Sequence, residues 1–187
     1  MNKNSKYYLL SLILFLIVIT SIYSKFIHLY IWGNEFLFRD FQNILESSIC
    51  YPEIDIYTYN PCTILGGNPY SYGSFSLRIT PYAEKFFDLY MLIIPATMIF
   101  FSIFVIVKLF NPKKIIEYFL VFTIIFSTPI MLGFERGQLE LLIFIVLYFV
   151  SVSRNMFVEI AYLIFLSSLK FYPAICFGVY FNKKINF

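Results

Sequence analysis

Five apolar runs, separated by polar segments, organise the chain. The first, YYLLSLILFLIVITSIY (7–23), has 17 uncharged residues behind Lys3 and Lys6. No small-residue cleavage site follows it, so it reads as a retained span rather than a removable signal. The second, LYMLIIPATMIFFSIFVIV (89–107), is long enough to cross the ~30 Å hydrocarbon layer as a helix. The third is IIEYFLVFTIIFSTPIML (115–132), and the fourth, LLIFIVLYFVSVS (141–153), is short for a full crossing. The fifth lies within 156–181 and contains Lys170. Between the first two runs, FRDFQNILESSICY (38–51) repeats Phe41, Leu45 and Ile49 at i, i+4 and i+8, beside Ile44. That period predicts an amphipathic helix lying on the membrane surface. The expected fold is all-α: a multi-pass transmembrane bundle, one membrane-embedded domain over 1–187. A long outer loop, 24–88, carries the short interfacial helix.

Composition strengthens the membrane reading. Apolar and aromatic residues make up 60% of the chain and charged residues 13%, against about 25% charge in a soluble domain. Mean hydropathy is +0.77. The net charge of +3 is mild and gives no reason to expect a nucleic-acid partner. Charge placement sets the expected orientation. Lys3 and Lys6 put the N-terminus inside, and Lys108, Lys113 and Lys114 put the hinge between the second and third runs inside as well. Residues 24–88 then lie outside; they hold four basic and seven acidic residues, whereas the remainder holds ten basic and four acidic ones. The turn GFERGQ (133–138) falls outside and Arg154 inside. Lys183 and Lys184 fit an inside tail only if the fifth run is a pair of half-length helices turning near Lys170 and Pro173, the alternative to one plain span.

Several residues carry candidate chemistry. Asp40 sits just before the predicted interfacial helix. It is either the N-cap, accepting backbone N–H groups, or a carboxylate held at the water–lipid boundary as a general base; the two roles are compatible. YNPCTILGGNPYSYG (59–73) is dense in turn formers. It either reverses the chain or forms a polar lip over a substrate, with Asn60 and Tyr70 as its candidate contacts. Cys50 and Cys62 share the outer loop, where two thiols can pair, with stabilisation of about 3 kcal/mol on a loop-closure model. Cys176 lies in an apolar segment and reads as a small core residue. His28, the only histidine, stands near Tyr30 and Trp32 as an interfacial residue; with no Cys/His cluster, zinc is not expected. FERGQLELLIF (134–144) puts Glu135, Arg136, Gln138 and Glu140 at the mouth of a short apolar run, with Gly137 permitting close backbone approach. Arg136 suits bidentate phosphate recognition. Lysine at the bilayer centre costs about 2.5–3.5 kcal/mol, so Lys170 demands a use: a phosphate ligand, or else a pairing with Glu140 or Glu159, or snorkelling. Two cations facing a membrane-level cavity point to an anionic ligand with a lipid tail.

In order, FRDF, YNPC…GGNPY, ERGQLELLIF and LKFYP resemble the polyprenyl-phosphate-sugar-dependent glycosyltransferases of the GT-C superfamily. The chain is most similar to the bacterial group that contains mannosyltransferases of phosphatidylinositol mannosides (glycosyltransferase family eighty-seven). The likeness runs from about residue 38 onward. Family members are considerably longer, so the resemblance implies an N-terminal portion or a truncated member. It implies a hexosyltransferase in the cell membrane, active on the periplasmic or extracellular side. A mannose-like hexose would pass from a polyprenyl monophosphate to a lipid or glycan acceptor, without cofactor or metal. It makes Asp40 the catalytic base, and places Arg136, Gly137, Gln138 and Lys170 at the donor. Gln138 stands where the family more often has Asn. Pro173 would break the helix where backbone lines the donor cavity. Two other functions fit the same residues: a non-catalytic carrier or flippase for lipid-linked sugars, which needs the cations but not Asp40, and an inactive membrane scaffold.

Overall fold

The computed structural model describes residues 3–24, 38–51, 55–56, 59, 61–62, 77, 84–153 and 155–169. Among these residues there are seven helices and no strand: α1 (Lys3–Tyr23), α2 (Arg39–Cys50), α3 (Phe87–Phe110), α4 (Ile115–Ile125), α5 (Thr128–Arg136), α6 (Leu139–Val152) and α7 (Met156–Leu169). Ser5–Ile22 and all of α3 are long and apolar enough to cross a membrane, and α4 with α5 makes a third candidate if the bent pair is one span. The α6 helix and Phe157–Leu166 are apolar but shorter.

The chain divides into two compact units, Met1–Phe41 with Met91–Ile145, and Gln42–Tyr90 with Val146–Phe187. In the first unit, Leu14, Val18 and Ile22 of α1 are buried, as are Ile99, Ile103 and Val107 of α3. The two helices meet through aromatic contacts: Tyr8 stacks on Phe104 at 5.0 Å, and Phe15 meets Phe100 edge-on at 5.7 Å. Just past the C-terminus of α3, the Tyr7 hydroxyl donates to Asn111 Oδ1. Outward positions are also apolar: Leu9, Leu12, Ile13, Leu16 and Ile17 on α1, and Ile115, Ile116, Phe119 and Leu120 on α4. Exposed apolar surface of that extent marks a membrane or partner interface, and with the span lengths it supports membrane association. Pro95 sits inside α3 without ending it. Two residues on, the Thr97 hydroxyl donates to the Ile93 and Ile94 carbonyls.

The third predicted span is not continuous. It breaks after Ile125 into α4 and α5, bent by 51°. Pro129 explains the position, since proline has no N–H for the Ile125 carbonyl and its ring crowds that carbonyl. At the start of α4, the Glu117 carboxylate accepts the Lys113 and Lys114 backbone N–H groups at 2.5 and 3.0 Å.

In the second unit, Ile44 and Leu45 of α2 are buried, with Ile56 and Leu77, and Leu163 and Leu166 of α7. The α2 pattern was legible in part: Phe41, Ile44 and Leu45 are buried, but Ile49 is 39% exposed and drops out of the packed face. Cys50 and Cys62 form a disulfide, with Cα atoms 6.3 Å apart. Asn155 caps α7, its Oδ1 accepting the Phe157 N–H at 3.0 Å.

Candidate functional site

The first unit brings the end of α5 against the start of α2. Phe38, Phe41, Phe134 and Met131 are buried there. The Phe38 N–H donates to the Glu135 carbonyl at 2.7 Å. Phe38 itself takes φ 58°, a left-handed conformation that is strained for a bulky residue. The α5 helix ends in a Schellman turn, with the Gly137 N–H on the Phe134 carbonyl and the Gln138 N–H on the Gly133 carbonyl. Gly137 has φ 62° and ψ 43°. A Cβ there would lie 3.2 Å from the Cβ atoms of both Phe38 and Phe41. Glycine is therefore required twice over, by dihedral and by space. The close approach expected of Gly137 is present, and its partner is the phenylalanine pair flanking Asp40.

This clasp sets Arg136 beside Asp40. The guanidinium donates from Nη2 at 2.8 Å and from Nε at 3.2 Å, both to Asp40 Oδ1. Asp40 lies in the first turn of α2, not before it. It is therefore not the N-cap; its carboxylate bonds Arg136 while still favouring the positive end of the helix dipole. The Asp40 side chain is 13% exposed and that of Arg136 46%. Arginine carries five N–H donors, so the guanidinium keeps a solvent-facing edge. The site thus offers an anion-binding edge next to a carboxylate with one committed oxygen.

Gln138 does something else. It lines a cavity together with Gly133, Ser102 of α3 and Glu140 of α6, because the Schellman turn reverses the chain between Arg136 and Gln138. Two of the four sequence-assigned residues described here, Asp40 and Arg136, bond each other. Gly137 shapes their turn, and Gln138 faces the cavity. Lys170, Asn60 and Tyr70, with Pro173, lie outside the described residues, so the donor-side lysine and the polar lip do not enter this geometry. Phe38 was not singled out in the sequence; only its place directly before Arg39 and Asp40 marked it. Among the described residues no group of three or more His, Cys, Asp or Glu is placed to hold a metal ion.

Comparison with protein-family models, with curated proteins and with solved structures returns no match.

Proposed function

We propose that the chain is all or part of a membrane glycosyltransferase that moves a hexose from a polyprenyl monophosphate to a lipid or glycan acceptor on the outer side of the membrane. The observation that carries this is the contact between Asp40 and Arg136, 96 residues apart in sequence. The reading needs a base and a phosphate-binding cation around one site, and these two residues share one. The acceptor hydroxyl gives its proton to Asp40 as its oxygen attacks the anomeric carbon. The bond from that carbon to the phosphate oxygen breaks, and polyprenyl phosphate leaves with the electron pair. Arg136 stabilises the charge that develops on the phosphate. Because Arg136 and Asp40 begin in contact, donor phosphate entering on the exposed guanidinium edge loosens Arg136 from Oδ1 and frees the base. The Cys50–Cys62 disulfide supports an outer location for residues 24–88, since disulfides persist in oxidising compartments.

The carrier reading draws on the same ion pair, with Asp40 serving only to hold Arg136. Transfer of labelled hexose from a synthetic polyprenyl phosphate, in proteoliposomes, separates the two. Asp40→Asn should lower turnover by about 10²–10⁴-fold, the usual contribution of general-base catalysis, while the donor lipid still binds. Unchanged transfer in Asp40→Asn removes the base role, and absence of transfer by the wild-type chain leaves the carrier as the better reading.

A further inference from the structure

A second site is built into the first unit. A cavity of about 390 Å³ is bounded by the C-terminal half of α3, the α4–α5 bend and the first turns of α6. Its volume is at the lower end for small-molecule sites, about 300–1,000 Å³. Most of its wall is apolar, with Ile106, Phe134 and Phe144 among the lining residues. Three polar side chains, Ser102, Gln138 and Glu140, also line it.

Ser102 is the unusual member. Serine within a helix commonly returns its hydroxyl to a carbonyl one turn back. Ser11, Ser48, Ser151 and Ser168 all do so here. Ser102 does not: it is 1% exposed, and its hydroxyl has no hydrogen-bond partner among the described residues. A buried hydroxyl left unsatisfied is costly, and Ser102 is among the residues that line the cavity.

Charge narrows the occupant. No lysine or arginine is among the described lining residues, whereas the Glu140 carboxylate is. Among the described lining residues, an anionic headgroup would meet a carboxylate and no lysine or arginine. We propose that this cavity binds an uncharged long-chain lipid alcohol, its chain along Ile106, Phe134 and Phe144 and its hydroxyl bonded to Ser102, with Gln138 as the second partner. The site does not depend on the glycosyl-transfer reading, because neither Asp40 nor Arg136 lines it.

Photo-crosslinking tests this with the full chain in phosphatidylcholine nanodiscs. Three probes carry the same diazirine-bearing chain: a free alcohol, its phosphate monoester and the plain alkane. The alcohol should label peptides covering 99–110 and 139–145 in preference to the other two, and excess unlabelled alcohol should compete. Ser102→Ala should weaken that labelling by roughly 2- to 10-fold, the worth of one net hydrogen bond. Gly133→Leu, which intrudes on the cavity, should abolish it. Gly133→Ala should retain it, because the added Cβ meets only Gln138 Oε1 at 3.6 Å and Leu141 Cδ2 at 3.7 Å. Equal labelling by alcohol and alkane would mean that ordinary lipid tails or water fill the space, and overturns the proposal. So does preference for the phosphate, labelling unchanged by Ser102→Ala, or no labelling at all.

Discussion

Gly137→Ala is the sharpest perturbation of the clasp that holds the candidate site. Two costs can be worked from the geometry. The backbone at φ 62° is left-handed, and an L-residue there costs roughly 1–2 kcal/mol. The new methyl would then stand 3.2 Å from the Cβ atoms of Phe38 and Phe41. Both phenylalanines are buried, so neither can swing into open space; crowding a packed core costs about 1–3 kcal/mol. The terms share neighbours and do not simply add, so the expected loss is about 2–4 kcal/mol. Thermal unfolding in detergent is the assay, with Gly133→Ala as the paired control. That second glycine has only ordinary contacts around a new Cβ and sits inside α5, where alanine favours the helix by about 1 kcal/mol. Gly137→Ala should unfold well below wild type and Gly133→Ala at or above it. Equal midpoints for the two variants would refute the claim that the turn and its phenylalanine pair are tightly coupled.

Two further outcomes follow from local geometry. Cys50 and Cys62 should resist alkylation in native oxidised membranes and react after reduction, and Cys50→Ser should destabilise by about 3 kcal/mol for so short a loop; free reactivity of both thiols without reductant would contradict the pairing. Glu117→Ala removes the acceptor for the Lys113 and Lys114 N–H groups and should lower the unfolding midpoint, whereas Glu117→Gln, which keeps an acceptor oxygen, should lower it less in the same assay.

The apolar runs were legible because span length and hydropathy are local properties, and α1 and α3 follow them closely. The break in the third run was written in Pro129, but a hydropathy window averages over a single proline. Period alone found the buried face of α2 yet overran it at Ile49, because spacing does not say where the covering surface ends. The meeting of Asp40 with Arg136 crosses 96 positions, and no spacing rule reaches that far; only the family resemblance grouped them. It grouped Gln138 with them too, and adjacency to Arg136 made that natural. The left-handed turn at Gly137 undoes the grouping by sending Gln138 to the cavity beside Gly133. Ser102, in IFFSIFV, looked like a neutral interruption of an apolar helix. Its importance comes from a hydrogen bond that is not made, which sequence does not display.

The proposed sugar transfer requires Asp40 and Arg136 to work as one unit. Single-turnover transfer rates for wild type, Asp40→Asn, Arg136→Gln and the double variant test it directly, since groups that act together lose activity non-additively. Each single variant should be severely slowed, and the double variant should be no slower than the worse single. Losses that multiply independently, or an Asp40→Asn rate close to wild type, would contradict it.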